Sequence, residues 1–340
     1  MRTRFNPTKR LTPVLAVSAL MLAGQAITHT PAASAADNNT NANFLQVYVN
    51  NVENLQVPGA HCPGDWKDLI HYMRSYATAP DLFLVQQVSN RAELDVLIGQ
   101  MEDWLPGDYD GVMADPSPAP GRFGCNGEKD RQTNAIIWRK GRLDLMDTAR
   151  WQSLDEINES GRCNENTQPR TLNIRAKFRD KLNDKLITVA SVHWPTLHSG
   201  GGVDCATENA NKLAQEMDGW DTSLRIWGGD TNITELNESN DWRAWYQQMN
   251  GDRGGRHGYR DAIYDLCSAG TDPLKPCLHD NPTIGSDKRI DYLFARKPSG
   301  MPNMTTAHTV TFNEADAASN DPNPGLNYSD HRAVRARIYY

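Results

Sequence analysis

Aspartate, histidine, asparagine and glutamine stand at one end of each of six short, mostly apolar runs in this sequence. They are Asn51 in Val49–Leu55, Gln87 in Leu82–Val88, His193 in Thr188–Pro195, Asp230 and Asn232 after Leu224–Trp227, Asp291 in Arg289–Phe294, and Asp330 with His331 in Ser329–Val334. Strand ends are places where a rigid scaffold can hold reactive groups. A carboxylate there can take a proton from water, and a histidine oriented by an aspartate can donate to a phosphoryl oxygen. Oxygen-bearing side chains are suitable ligands for Mg²⁺ or Ca²⁺, so the set predicts metal-assisted hydrolysis of a phosphate ester.

Each segment taken alone has an ordinary structural explanation. Ser329-Asp-His is typical of a loop with a capping aspartate, and a histidine such as His193 after an apolar strand is often only hydrogen-bonded. Gly229-Asp-Thr-Asn is also typical of a turn, because glycine, aspartate and asparagine all favour turns. The prediction depends on the order of all six segments and on their placement at strand ends.

The periodicity of the sequence predicts strands with interspersed helices. Alternation over Leu172–Phe178 and Val334–Ile338 indicates half-buried strands. Short β-rich runs predict further strands at Phe44–Val49, Leu82–Val88, Ala135–Trp138, Leu186–Val192, Leu224–Trp227 and Ile290–Ala295. Helical spacing is found over Trp66–Met73 and Leu94–Met101, and Asn209–Trp220 is a third helix candidate. This mixture predicts an α/β fold in which two sheets pack together under helices.

The first 35 residues have the pattern of a secretory signal peptide. A basic stretch precedes the apolar run Val14–Ala23, and small residues lead to an A-x-A site at Ala33–Ala35. The run is far shorter than the ~20 residues that span a bilayer, which favours a secreted protein over a membrane anchor. Residues 36–340 show no repeat and no low-complexity linker, so one domain is predicted.

Charge and cysteine content limit the function classes. Residues 1–35 hold four basic residues and no acidic one, so the remaining chain carries a formal charge of −11 where the whole sequence carries −7. The negative net charge excludes a protein that coats nucleic acid through its overall electrostatic field. It does not exclude an enzyme that contacts nucleic acid locally. Six cysteines in a secreted chain predict disulfides, with 15 arrangements open. Pairing in chain order would join Cys62 to Cys125, Cys163 to Cys205 and Cys267 to Cys277.

The ordered segments resemble the endonuclease/exonuclease/phosphatase superfamily, which includes deoxyribonucleases, sphingomyelinases and inositol phosphatases. The resemblance covers about Phe44 to Tyr340 and rests most on Gly229-Asp-Thr-Asn and Ser329-Asp-His. It implies a four-layer α/β/β/α sandwich of two mixed sheets, with a catalytic site at one edge of the sheets. It also implies Asp230 as general base, Asn232 at the phosphate, His193 and His331 as a catalytic pair with Asp291 orienting His331, and Asn51, Gln87 and Asp330 at the metal. The implied cofactor is Mg²⁺, or Mn²⁺ or Ca²⁺ in its place.

Two further segments resemble the branch that contains the active subunit of cytolethal distending toxins. Arg170 in Gln168–Thr171 resembles an arginine that faces the substrate phosphate, with a surface charge as the alternative. Arg131–Ile137 also looks closest to that branch. The resemblance favours a monomeric nuclease, with a phosphomonoesterase or lipid phosphodiesterase as the alternative.

One residue departs from the superfamily pattern. The strand after the first helix ordinarily ends in Gln-Glu, and that glutamate is the principal metal ligand, whereas this chain has Gln86-Gln87. Gln132 stands near a position where some nucleases have a glutamate that orients the first histidine. A glutamine oxygen can bind a cation but brings no charge, so weaker metal binding or a non-catalytic phosphate-binding protein is the competing hypothesis.

Two further features could also contact substrate. The loop Arg253–Arg260 gathers three arginines and a histidine among glycines, which fits either a phosphodiester contact or a solvated surface loop. Trp194 could stack on a base or a lipid headgroup, or pack in the core. Asp261 is expected to brace the fold.

Overall fold

Two six-stranded mixed sheets pack face to face between helices. The computed structural model describes residues 36–52, 66–75, 78–116, 132–157, 161–196, 205–285, 288–304, 309–312 and 329–340. The predicted signal peptide, Cys62 and Cys125 lie outside these residues. No helix in the described part of the chain combines the length and the apolarity needed to cross a bilayer.

The first sheet contains β1 near its centre. Across the sheet the strands are β13 (Val310–Phe312), β14 (Ala333–Tyr339), β1 (Phe44–Asn51), β2 (Leu82–Val88), β4 (Thr133–Arg139) and β3 (Tyr109–Met113). Strand β1 is parallel to β2 and antiparallel to β14, which pairs Asn51 with Gln86 and Val49 with Val334. Two helices, α1 (Trp66–Ser75) and α2 (Arg91–Trp104), cover its outer face.

The second sheet supplies most of the predicted catalytic residues. Its strands are β11 (Arg260–Asp261), β12 (Asp291–Arg296), β10 (Leu224–Asp230), β9 (Leu186–His193), β8 (Leu172–Asp180) and β5 (Leu143–Gln152). Its outer side carries α3 (Ala206–Asp218), α4 (Ala244–Met249) and α5 (Ala262–Ala269), and α6 (Leu274–His279) follows α5. A two-stranded ribbon, β6 (Leu154–Ile157) with β7 (Cys163–Glu165), lies apart from both sheets.

The period-two pattern explains how the layers form. In β1, Val47 and Val49 belong to the core between the sheets, whereas Tyr48 belongs to the core under α1 and α2. Strand β2 divides in the same way, with Leu84 inside and Phe83 under the helices. Because both faces are covered, every residue of β1 and β2 is buried. The four-layer α/β/β/α sandwich is therefore confirmed.

Two disulfides are present among the described cysteines. Cys163 at the start of β7 is bonded to Cys205 just before α3, and Cys267 in α5 is bonded to Cys277 in α6. Both pairs agree with pairing in chain order. The third predicted pair, Cys62 with Cys125, lies outside the described residues.

Candidate active site

Register between neighbouring strands brings three of the predicted residues together. Asp230, the last residue of β10, is paired with His193 of the parallel strand β9 and with Asp291 of the antiparallel strand β12. The residue before Asp230 has to be glycine, because a Cβ on Gly229 would lie 1.8 Å from the Val192 carbonyl oxygen. The Gly-Asp pair therefore lets β10 end directly beside β9.

His331 reaches the same point from the other sheet. Its Nδ1 donates to Asp291 Oδ2 at 2.9 Å, and its Nε2 lies 3.9 Å from an oxygen of Asp230 and 3.9 Å from one of Asp330. Its main-chain N–H donates to Ser329 Oγ. Burial alone lowers the pKa of His331, but the carboxylates of Asp291, Asp230 and Asp330 outweigh burial and raise that pKa to about 10. The imidazole is therefore a cation held against Asp291.

Asp230 is the centre of the arrangement. Its Oδ2 accepts a hydrogen bond from Asn51 Nδ2 at 3.0 Å and lies 3.5 Å from His193 Nε2, while its Oδ1 accepts from the main-chain N–H of Asn232. Burial raises the pKa of Asp230; His193 and His331 act against this shift, and Asp291 adds to it. A carboxylate whose pKa is moved toward neutrality is a better proton acceptor near pH 7.

Asn232 sits in a left-handed turn directly after β10. Its φ is 56°, and its side-chain Nδ2 donates to the Trp194 carbonyl at 2.8 Å. Asparagine tolerates this backbone region better than most residues. Trp194 itself is buried and packs edge-to-face on Trp245. The structure therefore favours the core role for Trp194 over stacking on a substrate.

Gln87 joins the site through a chain of amides. Asn51 Nδ2 donates to Gln87 Oε1 at 2.6 Å, Gln87 Nε2 donates to Gln132 Oε1 at 2.9 Å, and Gln132 Nε2 lies 3.5 Å from Ser89 Oγ. Gln87 has a φ of 61° and lies at an irregularity of register between β2 and β4. The two glutamines thus bond to each other where the superfamily pattern would have acidic groups.

The donor set fits a hard divalent cation. The carboxylates of Asp230 and Asp291 each offer an oxygen within 4.8 Å of the other's, whereas the protonated ring of His331 has no free lone pair for a metal. Asp291 Oδ1 is buried and accepts no hydrogen bond from any residue that the structure describes. Asn51 and Gln87 add amide groups, and the half-exposed Asp330 adds a carboxylate beside His331. Oxygen donors of this kind suit Mg²⁺, Mn²⁺ or Ca²⁺.

The hydrogen bonds of Arg170 lie away from Asp230 and the two histidines. It lies in the short 3₁₀ turn Pro169–Thr171, and its Nε donates to Gln168 Oε1 at 2.7 Å. Asn134 Nδ2 fixes this turn by donating to the carbonyls of Arg170 and Leu172. No hydrogen bond among the described residues joins Arg170 to Asp230, His193 or His331.

Sequence reasoning missed several residues that position the catalytic groups. Asn173 Oδ1 accepts from the main-chain N–H of His193, and Ser153 Oγ donates to the His193 carbonyl. Thr283 Oγ1 accepts from the main-chain N–H of Asp291. The only sequence signal was Asn173 itself, because asparagine is disfavoured within a strand. Side chains that bond to the main chain leave no spacing pattern to read.

The arginine-rich loop is bonded within the protein. Arg253 stacks 4.0 Å over Trp242, Arg256 donates to Asn211 and Gln248, and Arg260 pairs with Asp252 and Asp265. These contacts favour a surface loop over a phosphodiester contact. Asp261 braces the fold as expected, since it accepts from Tyr246 and pairs with Arg289 at 2.7 Å.

Comparison with known proteins places the fold. No protein-family model matches the sequence, and no curated protein matches it. The chain is similar to D. rerio TDP2 complexed with a single-strand DNA product, at 15% identity and a TM-score of 0.54 over 87% of this chain and 99% of that one. An endonuclease/exonuclease/phosphatase family protein from Bacteroides thetaiotaomicron gives 17% and 0.52, over 87% and 98%. The mannosyl-6-phosphatase Bt3783 from the same species gives 16% and 0.50, over 87% and 100%.

These likenesses show the fold. The two facing sheets with their flanking helices are the fold of the endonuclease/exonuclease/phosphatase superfamily. These solved structures include one named as an endonuclease/exonuclease/phosphatase family protein and one named as a phosphatase, and at 15–17% identity the likeness shows the fold alone. The finer resemblance to the toxin branch stays a prediction.

Proposed function

We propose that this protein is a metal-dependent phosphoester hydrolase that uses water as the nucleophile. The observation that carries the proposal is the meeting of two histidines at one carboxylate, since the Nε2 atoms of His193 and His331 lie 3.5 and 3.9 Å from Asp230 Oδ2. An acid–base set of this kind can remove a proton on one side of a phosphorus atom and donate one on the other. A protein that only binds phosphate has no need of it.

Each residue then has a defined task. Asp230 accepts the proton of the attacking water, and Asn51 and the Asn232 N–H fix its two oxygens. Cationic His331, oriented by Asp291, donates to a phosphoryl oxygen or to the leaving group. His193 adds a second ring nitrogen, and Asn232 lies where it can bind the phosphate. Arg170 is a candidate for the phosphate only if its side chain leaves Gln168 when substrate binds.

A divalent cation completes the site. Asn51, Gln87 and Asp330 are the residues that would hold it, and when bound it neutralises charge that develops on the phosphoryl oxygens. Asp230 and His331 still accept and donate the protons. Since Gln87 is uncharged, the cation is held more weakly than a glutamate would hold it.

The substrate is argued from the site, because identities of 14–17% carry only the fold. The compared structures include one bound to a DNA product and one named as a sugar phosphatase. A secreted monomeric nuclease is the prediction from the sequence, and a phosphomonoesterase or lipid phosphodiesterase is the alternative. Secretion is proposed from residues 1–35 together with the two disulfides.

One assay tests the proposal. Purified protein is incubated with plasmid DNA, RNA, sphingomyelin and an inositol phosphate, with Mg²⁺, Mn²⁺ and Ca²⁺ in turn, beside Asp230→Asn as the inactive control. We expect metal-dependent hydrolysis of at least one substrate and none by the variant. Equal inactivity of both proteins on every substrate would favour a non-catalytic phosphate-binding protein.

A further inference from the structure

A concave pocket opens directly beside the catalytic residues. Its volume is about 730 Å³, and its wall includes Asn232, Thr196 and Ile290. These three residues follow β10, follow β9 and precede β12, so the wall continues from the strand ends that carry Asp230, His193 and Asp291. We call this cavity the side pocket. A group bound in it would lie against Asn232, the residue proposed to bind the phosphate.

The walls of the side pocket are fixed by contacts that also hold the site. Thr283 Oγ1 accepts from the main-chain N–H groups of Ile290 and Asp291, and Ile284 forms a bridge with His331. Arg289 is buried and locked by Asp261 at 2.7 Å and by Glu235 at 3.3 Å. Glu235 in turn accepts from Tyr292. The pocket is therefore preformed. Arg289 and Glu235 neutralise each other's charge within its wall.

Two cationic side chains in the wall can contact a ligand. Lys288 and Arg243 both line the side pocket, and neither has a carboxylate partner among the described residues. Arg243 uses its Nε on the Leu236 carbonyl, so its terminal N–H groups are available. The lining also includes neutral hydrogen-bonding groups on Thr234, Asn237 and Asn240 and one exposed carboxylate, Glu238. This chemistry suits hydroxyl groups together with an anion.

Shape and lining argue against a stacked nucleic acid base. The described lining residues include no Phe, Tyr or Trp, and His279 is the one aromatic ring among them, whereas single-stranded nucleic acids are bound by stacking on several aromatic side chains. A duplex is bound over a broad surface of ~1,000–2,500 Å². A pocket of this size belongs to the range of ~300–1,000 Å³ that encloses small molecules.

We infer that the side pocket binds the remainder of a small phosphoester substrate, a compact hydroxylated group that carries a second anionic group held by Lys288 and Arg243. The inference deepens the proposed function and rests on it for the position of the scissile phosphate. It makes a polymeric nucleic acid the less favoured substrate.

Binding can be tested separately from hydrolysis. The probes are glucose 1,6-bisphosphate and glucose 6-phosphate, which share the sugar and differ by one phosphate, and a short DNA duplex. Their affinities are measured by calorimetry on Asp230→Asn, which leaves the probes intact. Lys288→Met and Arg243→Met are then added singly to that background. Lys140→Met, an exposed lysine beyond the far end of β4, is the matched control.

We expect the bisphosphate to bind at least ~10-fold more tightly than the monophosphate. Lys288→Met and Arg243→Met should each remove most of that difference, and Lys140→Met should leave it unchanged. Equal binding of the two sugars, equal effects of Lys288→Met and Lys140→Met, or tighter binding of the duplex than of either sugar would each overturn the assignment.

The wild-type protein is assayed for phosphate release from the same compounds. Selective binding without any hydrolysis would reject the proposed function and keep the side pocket as a ligand site. Hydrolysis without selective binding would keep the proposed function and reject the side pocket as a ligand site.

Discussion

Asp230 gains its proposed role from the groups that surround it rather than from its residue type. Its two oxygens are fixed by Asn51 and by the main chain of Asn232, and two histidine rings lie within 4 Å of one of them. Burial raises its pKa, and His331 supplies the compensating positive charge. A carboxylate held this way is oriented and ready to accept a proton.

The histidine pair gives the first prediction. His193→Ala and His331→Ala should each lower turnover by ~10²–10⁴-fold, the usual contribution of a general acid or base. Circular dichroism and thermal unfolding should show an intact fold. Near-wild-type turnover by both variants on the best substrate would show that the site has been assigned to the wrong residues.

Gln87 gives the second prediction. Gln87→Glu adds a negative charge at the proposed metal position without changing side-chain length, and the Gln132 amide can turn to donate to it. Apparent affinity for Mg²⁺ or Mn²⁺ should rise by ~1–3 kcal/mol, or ~5–150-fold. The measurement is a cation titration of hydrolysis for wild type and variant, with Asp230→Asn as the inactive control. An unchanged titration curve would remove Gln87 from the metal site.

The grouping of the candidate site residues could be predicted from the sequence because each stands at a strand end in a fixed order. Their partners could not. The bond from Gln87 to Gln132 joins residues 45 positions apart, and Asn173 lies in a strand where alternation alone would not place it in the core. Long-range hydrogen bonds of this kind depend on register between strands, which the one-dimensional pattern does not contain.

At the scale of elements, apolar periodicity was sufficient to predict a strand whose two faces are buried or a helix with one buried stripe. Every predicted strand and helix in the described residues is present, with ends that move by a few residues. Strand β5 was not predicted because most of its residues are exposed or half-exposed at the edge of its sheet. An edge strand buries little and so carries a weak apolar signal.

The start of α2 gives the third prediction. Asn90 caps this helix by accepting from the Glu93 N–H, while the buried Glu93 carboxylate accepts from the Ser89 N–H. Burial raises the pKa of Glu93 against the effect of the Ser89 hydrogen bonds. A raised folded-state pKa gives stability that is present below the unfolded pKa and lost as pH rises through the folded pKa.

Glu93→Gln should therefore raise Tm at pH 7 and leave it unchanged at pH 4. Each ~1 kcal/mol gained in the free energy of unfolding should raise Tm by ~2 °C. Thermal unfolding at the two pH values measures this. Asp103→Asn, which changes an exposed acid of the same helix, is the control. A gain of the same size at both pH values would mean that burial of the charge is not the cause.

At the scale of the whole molecule, the cysteines give the fourth prediction. Two bridges are formed among the described residues, and pairing in order leaves Cys62 with Cys125. Protein from the secretion medium, denatured without reductant, should show no free thiol on titration. Two or more reactive thiols per chain would contradict the three-bridge arrangement.

The Cys163–Cys205 bridge closes a span of 42 residues that crosses β8 and β9. Its loss in Cys163→Ser/Cys205→Ser should lower the free energy of unfolding by ~4 kcal/mol on the chain-entropy scale. Denaturant unfolding of the double variant measures this.

The first and last strands of the described chain lie side by side. Asn50 donates to the His331 carbonyl, and Ser329 donates to the Asn51 carbonyl, so each end of the sequence holds the other in place at the site. Because polypeptides are made from the amino end, a growing chain holds Asp230 about 100 residues before it holds His331. A chain interrupted before residue 329 would carry Asp230 but lack His331, so the proposed site would be incomplete in it.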